Sequence, residues 1–323
     1  MKNIAVFTSG GDAPGMNACV RAVVRAAIHN NVNIFGIYRG YEGMINGDIR
    51  PLTSQSVSNI IQRGGTVLKS ARSEEFRIKE GRQKAYNQLQ KYNIEGLVAV
   101  GGNGTFAGAT LFHEEYGIPT IGCPGTIDND LYGTDFTIGF DTAVNTALDA
   151  IDKIRDTADS HDRVFFIEVM GRDSGYIALR SAIGGGAEMV LIPEKPDSMD
   201  DIIERLRSGW GRTKRSFIVI VAEGEEMGNA AVIAQKVKLE LPYLDIRVSN
   251  LGHIQRGGAP SAVDRVIASR MGLAAVEALL NGKSDMMVGI VNSKIKFTPF
   301  KETFKKKREQ IAEMLKLVEV LSK

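Results

Sequence analysis

Two cysteines, Cys19 and Cys123, are all that a chain of 323 residues carries. Two thiols exclude a disulfide framework and a four-ligand cysteine zinc site, and they point to a reducing compartment. Charge of one sign is also missing. The formal net charge is +2, so there is no bulk electrostatic case for binding nucleic acid or an acidic membrane surface. No apolar run approaches the ~18 residues that a bilayer span needs. The N-terminal residues run straight into a strand-like segment, Ile4 to Thr8, without the basic, apolar and cleavage regions of a signal peptide. The expectation is therefore a cytoplasmic protein with no nucleic acid and no membrane among its partners. Proline is scarce and glycine abundant, 9 against 35. Several glycines stand side by side at the ends of apolar runs, as at Gly10-Gly11 and Gly101-Gly102, where a bare backbone can approach a ligand closely. The length is too great for one ordinary core and suits two domains or one large α/β unit.

What is present is an alternation of short β-rich runs, Gly-rich turns and helical stripes. Ile4 to Thr8 is followed by Ser9-Gly10-Gly11-Asp12-Ala13-Pro14-Gly15, then by Val20, Val23, Val24, Ala27 and Ile28 at helical spacing. A second strand is read at Asn33 to Tyr38 and a third at Gly96 to Val100. The third leads into Gly101-Gly102-Asn103-Gly104-Thr105 and a helix through Glu114. Pro119 to Cys123 forms a fourth run, ahead of Pro124-Gly125-Thr126-Ile127-Asp128-Asn129-Asp130. A second block begins near Phe140, with a helix on Ala143, Ala147, Ala150, Ile151 and Ile154. Strands follow at Arg163 to Met170, Met189 to Ile192 and Ser216 to Ala222, with a helix from Val263 to Leu280. The tail, Phe304 to Leu321, has helical spacing, with Lys305 to Lys307 as its solvated start. Strands alternating with helices predict mainly parallel sheets with helices on both faces, and ligands at the carboxyl ends of the strands.

The acidic segment is the first candidate site. In extended backbone, period-two spacing turns Thr126, Asp128 and Asp130 to one side. One carboxylate can then take a proton while the other orients a group or holds a cation; a polar turn is the plain alternative. Gly10 to Asp12 and Gly101 to Thr105 are read as backbone N–H groups at helix N-termini, places that hold phosphate. Neither matches G-x-x-x-x-G-K-[ST] or G-x-G-x-x-G, so a P-loop NTPase is excluded and a dinucleotide reductase is disfavoured. Arg163, Arg172, Arg247, His253 and Arg256 lie at strand ends or beside Gly-rich turns, and an arginine fork suits phosphate oxygens. Nucleotide phosphates, a proton acceptor and a second anionic phosphate make up the set that phosphoryl transfer to a sugar phosphate needs.

Five segments, TSGGDAPGMN, VGGNGT, PGTIDND, EVMGRDSGY and LGHIQRGGAPSAVDRVIASRMG, resemble in order and spacing the bacterial ATP-dependent 6-phosphofructokinases, over essentially the whole chain. The resemblance implies two Rossmann-like three-layer α/β/α domains with mainly parallel sheets. Residues 1–139 plus about 255–303 would form a larger ATP-binding domain, and 140–254 plus about 304–323 a smaller fructose-6-phosphate domain. It implies Asp128 as the base for the sugar 1-hydroxyl, Arg172 against the transferring phosphoryl group, and Thr126 and Asp130 beside them. ATP contacts would be Gly11, Arg72, Ser73, Gly102, Asn103, Gly104 and Thr105. Sugar-phosphate contacts would be Thr126, Ile127, Asp128, Met170, Gly171, Arg172, Glu223, His253, Ile254, Gln255 and Arg256, with Arg163 and Arg247 reaching over from a neighbouring subunit of a homotetramer. Mg²⁺ would come with ATP, near Asp130 and position 103. That position is Asp in the family and Asn here, so metal affinity is expected to fall. Small residues at Gly104 and Gly125, where pyrophosphate-dependent relatives carry Asp and Lys, favour ATP as donor.

Arg21 and Arg25 stand at i, i+4 on the polar face of the first helix, where a solvated face is the plain reading. In the resembled family they, with Arg155, Gly186, Glu188, Arg212, Lys214 and Arg215, bind ADP or phosphoenolpyruvate at a subunit interface. Ser54 replaces a family arginine, so effector sensitivity is expected to be weak. A catalytically weakened sugar-phosphate sensor, suggested by Asn103, and a pyrophosphate-dependent enzyme are the alternatives.

Overall fold

The computed structural model describes residues 1–210, 216–304 and 311–322. In chain order the elements are β1 (Asn3–Thr8), α1 (Met16–His29), β2 (Asn33–Ile37), α2 (Gly40–Asn46), β3 (Ile49–Pro51), α3 (Lys79–Lys91), β4 (Gly96–Gly101), α4 (Asn103–Tyr116) and β5 (Thr120–Pro124). They continue with α5 (Phe140–His161), β6 (Val164–Val169), α6 (Tyr176–Gly185), β7 (Met189–Leu191), α7 (Met199–Gly209), β8 (Phe217–Ala222), α8 (Ala230–Glu240) and β9 (Ile246–Asn250). Last come α9 (Ala262–Leu280), β10 (Met286–Val291), β11 (Lys294–Pro299), α10 (Phe300–Thr303) and α11 (Ile311–Leu321).

The chain divides into two compact units. The first holds the described residues of Met1–Ile127, Leu131–Thr142 and Arg256–Lys307; the second holds those of Asp128–Asp130, Ala143–Gln255 and Arg308–Lys323. Each is an α/β unit around its own sheet. The first sheet has seven strands in the order β11-β10-β5-β4-β1-β2-β3, parallel except for β3 and β11, which close its edges in antiparallel pairings. The second has four parallel strands in the order β7-β8-β6-β9.

Sequence explains why the centres are where they are. Ile4 to Thr8 on β1, all of β4, and all of β6 and β8 are buried on both faces. Unbroken Val, Ile and Phe runs of this kind belong to parallel strands covered by helices on both sides. In the first unit, α1 and α9 pack so closely that a Cβ on Gly272 would stand 2.8 Å from the Cys19 carbonyl oxygen. On the other side of the sheet, Tyr41 stacks on Phe76 with centroids 3.9 Å apart and tilts onto Phe7.

In the first sheet the strand order reverses between β1 and β4: the chain leaves β1 toward β2 and leaves β4 toward β5. Such a switch point opens a crevice at the carboxyl ends, where α/β sheets bind ligands. Thr8 and Val100 are in register there, and the Ser9 N–H donates to the Val100 carbonyl at 3.0 Å. In the second sheet, β6 is flanked by β8 and β9, so the loops after Val169, Ala222 and Asn250 emerge side by side.

In the tail, a short helix, α10, ends at Thr303, and the expected helical stripe from Ile311 to Leu321 lies on α11. Lys305 to Lys307 lie outside the described residues, as do Arg212, Lys214 and Arg215. Among the described residues, no helix is long and apolar enough to cross a membrane.

Candidate active site

In the first unit the two Gly-rich loops lie at the switch point. The loop after β1 runs from Ser9 to Gly15, with left-handed φ values of +86° at Gly10 and +104° at Gly15. Helix α1 does not start until Met16, because Pro14 and the left-handed Gly15 hold the chain out of helix. Gly10 to Asp12 are therefore part of the open loop that precedes this helix N-terminus. Arg256 lies over this loop. Its guanidinium donates to the Asp12 carbonyl at 3.3 Å, and a Cβ on Gly11 would meet Arg256 Nη1 at 2.5 Å.

The second loop does form a helix N-terminus. Gly102 is the extended N-cap of α4, without a side-chain cap, and Asn103, Gly104 and Thr105 form its first turn. The Thr105 N–H turns back to the Gly102 carbonyl at 3.0 Å, and the start of the helix carries the positive end of its dipole. Gly101 has to be glycine, since a Cβ there would stand 2.3 Å from Thr105 Oγ1 and 2.6 Å from the Ser9 carbonyl. Thr105 ties the two loops by donating to that carbonyl at 3.3 Å, and its own carbonyl accepts from the buried Tyr41 hydroxyl at 2.6 Å. Gly104 differs: a Cβ there would find nothing within 4 Å. Gly125 is hemmed in, with Met16 Cε at 2.9 Å and Val100 Cγ1 at 3.0 Å from a would-be Cβ, so packing alone already requires its small size.

Arg72 and Ser73 belong to the long irregular stretch between β3 and α3. Asn17 on α1 fastens that stretch through bonds to the Arg63 carbonyl and the Val67 N–H, and Thr8 fastens it through a bond to the Lys69 carbonyl. Arg72 is exposed, and the Ser73 hydroxyl accepts from the Phe76 N–H at 3.3 Å. Thr126 stands beside Gly102, with its Cβ 3.7 Å from where a Gly102 Cβ would be.

In the second unit the site is built on three adjacent strand ends. Asp128 is buried, 6% exposed, and its Oδ2 lies 3.9 Å from Arg172 Nε. The Ser174 hydroxyl donates to the Asp128 carbonyl at 2.9 Å. Arg172 itself has a φ of +51°, a left-handed conformation costing a non-glycine residue about 1–2 kcal/mol. The surroundings hold it there. Its N–H donates to Glu223 Oε2 at 3.2 Å, Ser174 closes the turn onto the Gly171 carbonyl, and a Cβ on Gly224 would stand 2.0 Å from the Arg172 carbonyl oxygen. Gln255, fully buried, accepts from the Met170 N–H at 3.3 Å and donates to the Gly252 carbonyl. Asp128, Met170, Gly171, Arg172, Glu223 and Gln255 are thus brought together; His253 and Ile254 are exposed on the short helical turn that carries Gln255. Asn129, with φ +52°, interrupts the alternation that was expected to turn Thr126, Asp128 and Asp130 to one side: the chain is not extended there. Asp128 and Asn129 are buried and Asp130 half-buried.

Arg163 and Arg247 are not part of this cluster. Arg163 precedes β6 at its amino end, and its guanidinium donates to Asp245 at 2.8 Å; Arg247 joins the same carboxylate at 3.2 Å. The bond from Arg163 holds the Asp245 carboxyl below its ordinary range. Strand β6 alone spans roughly 20 Å, so these two arginines are at the opposite end of the sheet from Arg172. A strand end read from sequence does not say which end it is.

Arg155, Gly186 and Glu188 do meet. The Arg155 guanidinium donates to the carbonyls of Gly185 and Gly186, at 2.6 and 2.7 Å, where a cation suits the negative end of α6. It also lies 3.7 Å from Glu188 Oε1, while Glu188 Oε2 accepts from the Ile218 N–H. Arg21 and Arg25 are neighbours on α1. Burial, and then the charge of Arg25, lower the Arg21 guanidinium below its usual value.

Two contributors were not singled out from sequence. Ser174 sits inside the EVMGRDSGY segment, so its presence was legible though its bond to Asp128 was not. Thr137, whose hydroxyl donates to the Thr126 carbonyl at 2.6 Å, carried no local signal.

The phosphofructokinase family model matches residues 3–279. The chain belongs to the phosphofructokinase family. A protein of Cytophaga hutchinsonii called ATP-dependent 6-phosphofructokinase is 63% identical over all of this chain and 98% of its own length. A protein of Thermus thermophilus with the same description is 57% identical over the full length of both. Among solved structures, phosphofructokinase from Saccharomyces cerevisiae superposes with a TM-score of 0.90 at 36% identity; the match covers 100% of this chain and 48% of the yeast one. A pyrophosphate-dependent phosphofructokinase from Marinobacter aquaeolei shares the fold, with a TM-score of 0.84 at 23% identity over 98% of this chain and 91% of its own.

Proposed function

We propose that this phosphofructokinase transfers the terminal phosphoryl group of ATP to the 1-hydroxyl of fructose 6-phosphate, giving fructose 1,6-bisphosphate and ADP. The observation that carries the reading is the buried Asp128 carboxylate facing Arg172 on a turn whose strained backbone is held from three sides. The full-length relatives supply the identity of donor and acceptor through their descriptions.

The first unit is the nucleotide side. The α4 N-terminus, with Gly102, Asn103, Gly104 and Thr105, and the Gly11 loop receive the phosphates through main-chain N–H groups, while Arg72 and Ser73 reach the rest of ATP. The second unit is the sugar-phosphate side, with Met170, Gly171, Glu223, His253, Ile254 and Gln255 as contacts. Arg256, packed on Gly11 in the first unit, adds a cation for phosphate oxygens. The chain passes from the nucleotide set to the sugar set within Thr126, Ile127 and Asp128.

Asp128 accepts the proton of the 1-hydroxyl as the oxygen bonds to phosphorus. Arg172, with its side chain 59% exposed and only 3.9 Å from Asp128, is held loosely enough to turn toward the charge on the transferring group. The transition state of such transfers is loose, so much of the rate comes from positioning. The donors here, the Asp130 carboxylate and the Asn103 amide oxygen, are hard oxygens. Among the described residues no group of three His, Cys, Asp or Glu forms a cage for a metal. Hard oxygen donors suit Mg²⁺, which arrives on nucleotide phosphates, keeps several waters and asks one or two oxygens of the protein. When bound, Mg²⁺ would neutralise charge on the phosphates, with Asp130 proposed as its carboxylate donor.

Gly104 supports ATP over pyrophosphate, because the space above it is open and an acidic side chain there would project into it. The sensor alternative is weakened by the intact Asp128, Asp130 and Arg172. Arg163 and Arg247, paired to Asp245 far along β6, fit a role toward a neighbouring subunit's sugar phosphate in a homotetramer. Arg155 with Gly186 and Glu188, and Arg21 with Arg25, are proposed as contacts for ADP or phosphoenolpyruvate. A cytoplasmic location goes with these substrates. The test is a steady-state assay with Mg²⁺ and fructose 6-phosphate in which ATP and pyrophosphate are compared. Product is expected with ATP alone; turnover with pyrophosphate in place of ATP would overturn the choice of donor.

A further inference from the structure

Asp264 is fully buried in the first turn of α9, yet it takes no part in the chemistry described above. Its Oδ1 accepts from the Gly139 N–H at 2.8 Å; its Oδ2 accepts from the Thr142 N–H at 2.8 Å and the Thr142 hydroxyl at 2.5 Å. It thereby satisfies the opening N–H groups of α5 from a neighbouring helix. Ser261, the N-cap of α9, returns the arrangement: its N–H donates to Thr142 Oγ1 at 2.9 Å and its hydroxyl to Asp141 at 2.6 Å. The start of α1 closes on the same point. A Cβ on Gly15 would meet Asp264 Cβ at 3.4 Å and Ile138 Cγ2 at 2.8 Å. The starts of α5, α9 and α1 thus meet around Asp264, its carboxylate bonding to the start of α5, and the loop that precedes α1 is the Gly11 loop.

What Asp264 grips leads straight to the acidic segment. Gly139, at φ +103°, follows Ile138, whose N–H donates to the Pro124 carbonyl at 2.8 Å and which bridges to Gly125. Thr137 holds the Thr126 carbonyl at 2.6 Å. Residues 137–139 are thus clamped to residues 124–126 on one side and to Asp264 on the other.

We propose that Asp264 is a positioning residue for the phosphoryl transfer: by fixing Gly139 and Thr142 it holds the Thr137–Ile138 clamp on Pro124 and Thr126, and so sets where the chain enters Asp128. This rests on the kinase reading above. A shift of about 1 Å in a catalytic group is enough to cost ~10²-fold in rate, so a loosened clamp acts on turnover more than on binding.

The variant Asp264→Asn keeps the shape, removes the charge and puts an amide NH₂ where one of the accepted N–H groups points. Ser261→Ala is its structural control, since it weakens the α9 cap while leaving all three bonds accepted by Asp264. Steady-state formation of fructose 1,6-bisphosphate and thermal unfolding are measured for both and for the wild type. The expected result is a fall in kcat of ~10- to 100-fold for Asp264→Asn, with both KM values within about twofold, against a kcat within about twofold for Ser261→Ala despite a lower melting temperature. Unchanged kcat in folded Asp264→Asn, or an equal fall in Ser261→Ala, would overturn the proposal. If Asp264→Asn does not fold, Thr142→Val, which removes the hydroxyl donor, takes its place with the same criterion. A wild type inactive with ATP and fructose 6-phosphate would overturn the functional reading instead. Amide hydrogen exchange over residues 124–139 then decides the positioning role: faster exchange in Asp264→Asn than in Ser261→Ala supports it, and equal exchange refutes it.

Discussion

Gly224→Ala isolates the mechanical support of Arg172 from its chemistry. Gly224 does not occupy the left-handed region, so alanine brings no backbone strain of its own. The only obstacle is space. The new methyl would stand 2.0 Å from the Arg172 carbonyl oxygen, 2.9 Å from its carbonyl carbon and 3.2 Å from Asp173 Cα. These are backbone atoms and cannot rotate away as a side chain does. Reaching a tolerable contact of about 3 Å displaces the Arg172 peptide by about 1 Å, in a turn already held at φ +51° by the Glu223 carboxylate and Ser174. The destabilisation expected is about 1–3 kcal/mol, while an active-site displacement of that size costs ~10²-fold in turnover. Thermal unfolding and steady-state kinetics, run on the same preparation, read the two effects. Fructose 6-phosphate binding, for which Glu223 and the Met170 loop are proposed as contacts, should weaken as well. A folded variant with wild-type kcat would refute the argument that the Gly224 contact positions Arg172.

Three other outcomes follow from the same structure. Burial raises the Asp264 carboxyl to about 6 despite its three hydrogen bonds. The native state therefore holds this proton more tightly than the unfolded chain, and the associated stability is fully present below about pH 4 and lost as pH rises through about 6, amounting to about 3 kcal/mol in full. Urea unfolding across that range should show the slope in the wild type and not in Asp264→Asn; identical slopes would contradict the assignment. Asn103→Asp should lower the Mg²⁺ concentration needed for half-maximal rate, and an unchanged magnesium dependence would remove Asn103 from the metal's surroundings. Phosphoenolpyruvate should inhibit weakly if Ser54 stands, as the resemblance implies, where relatives often carry arginine, and strong cooperative inhibition would show that Ser54 does not matter.

The fold class was legible because burial on both faces writes an unmistakable pattern. The runs Ile4 to Phe7, Leu97 to Val100 and Phe217 to Ala222 have no polar face, and each leads into a turn. Elements with weaker patterns escaped. Strand β9, Ile246-Arg247-Val248-Ser249-Asn250, is half exposed and mixed in character, and β3 is three residues long. The antiparallel edge strands depend on partners more than on their own sequence. At the site, the motifs identified residue types but not their conformations. Nothing local in EVMGRDSGY says that Arg172 is left-handed, since Glu223 and Gly224, some fifty residues on, hold it there. Arg163 and Arg172 looked equivalent as arginines at the ends of one strand, and only parallel pairing with β9 assigned Arg163 to Asp245. Asp264 was visible within LGHIQRGGAPSAVDRVIASRMG, but its partners Gly139 and Thr142 lie more than 120 residues earlier, beyond any periodicity.

The central claim is that Asp128 takes the proton of the acceptor hydroxyl, and its most direct test is the turnover of Asp128→Ser with saturating MgATP and fructose 6-phosphate. Serine removes the base and leaves a small polar group, so Ser174, Arg172 and the Gly-rich loops keep their places. A fall in kcat of ~10²–10⁴-fold is predicted, with the KM for fructose 6-phosphate little changed. Near-normal turnover in that variant would contradict the account.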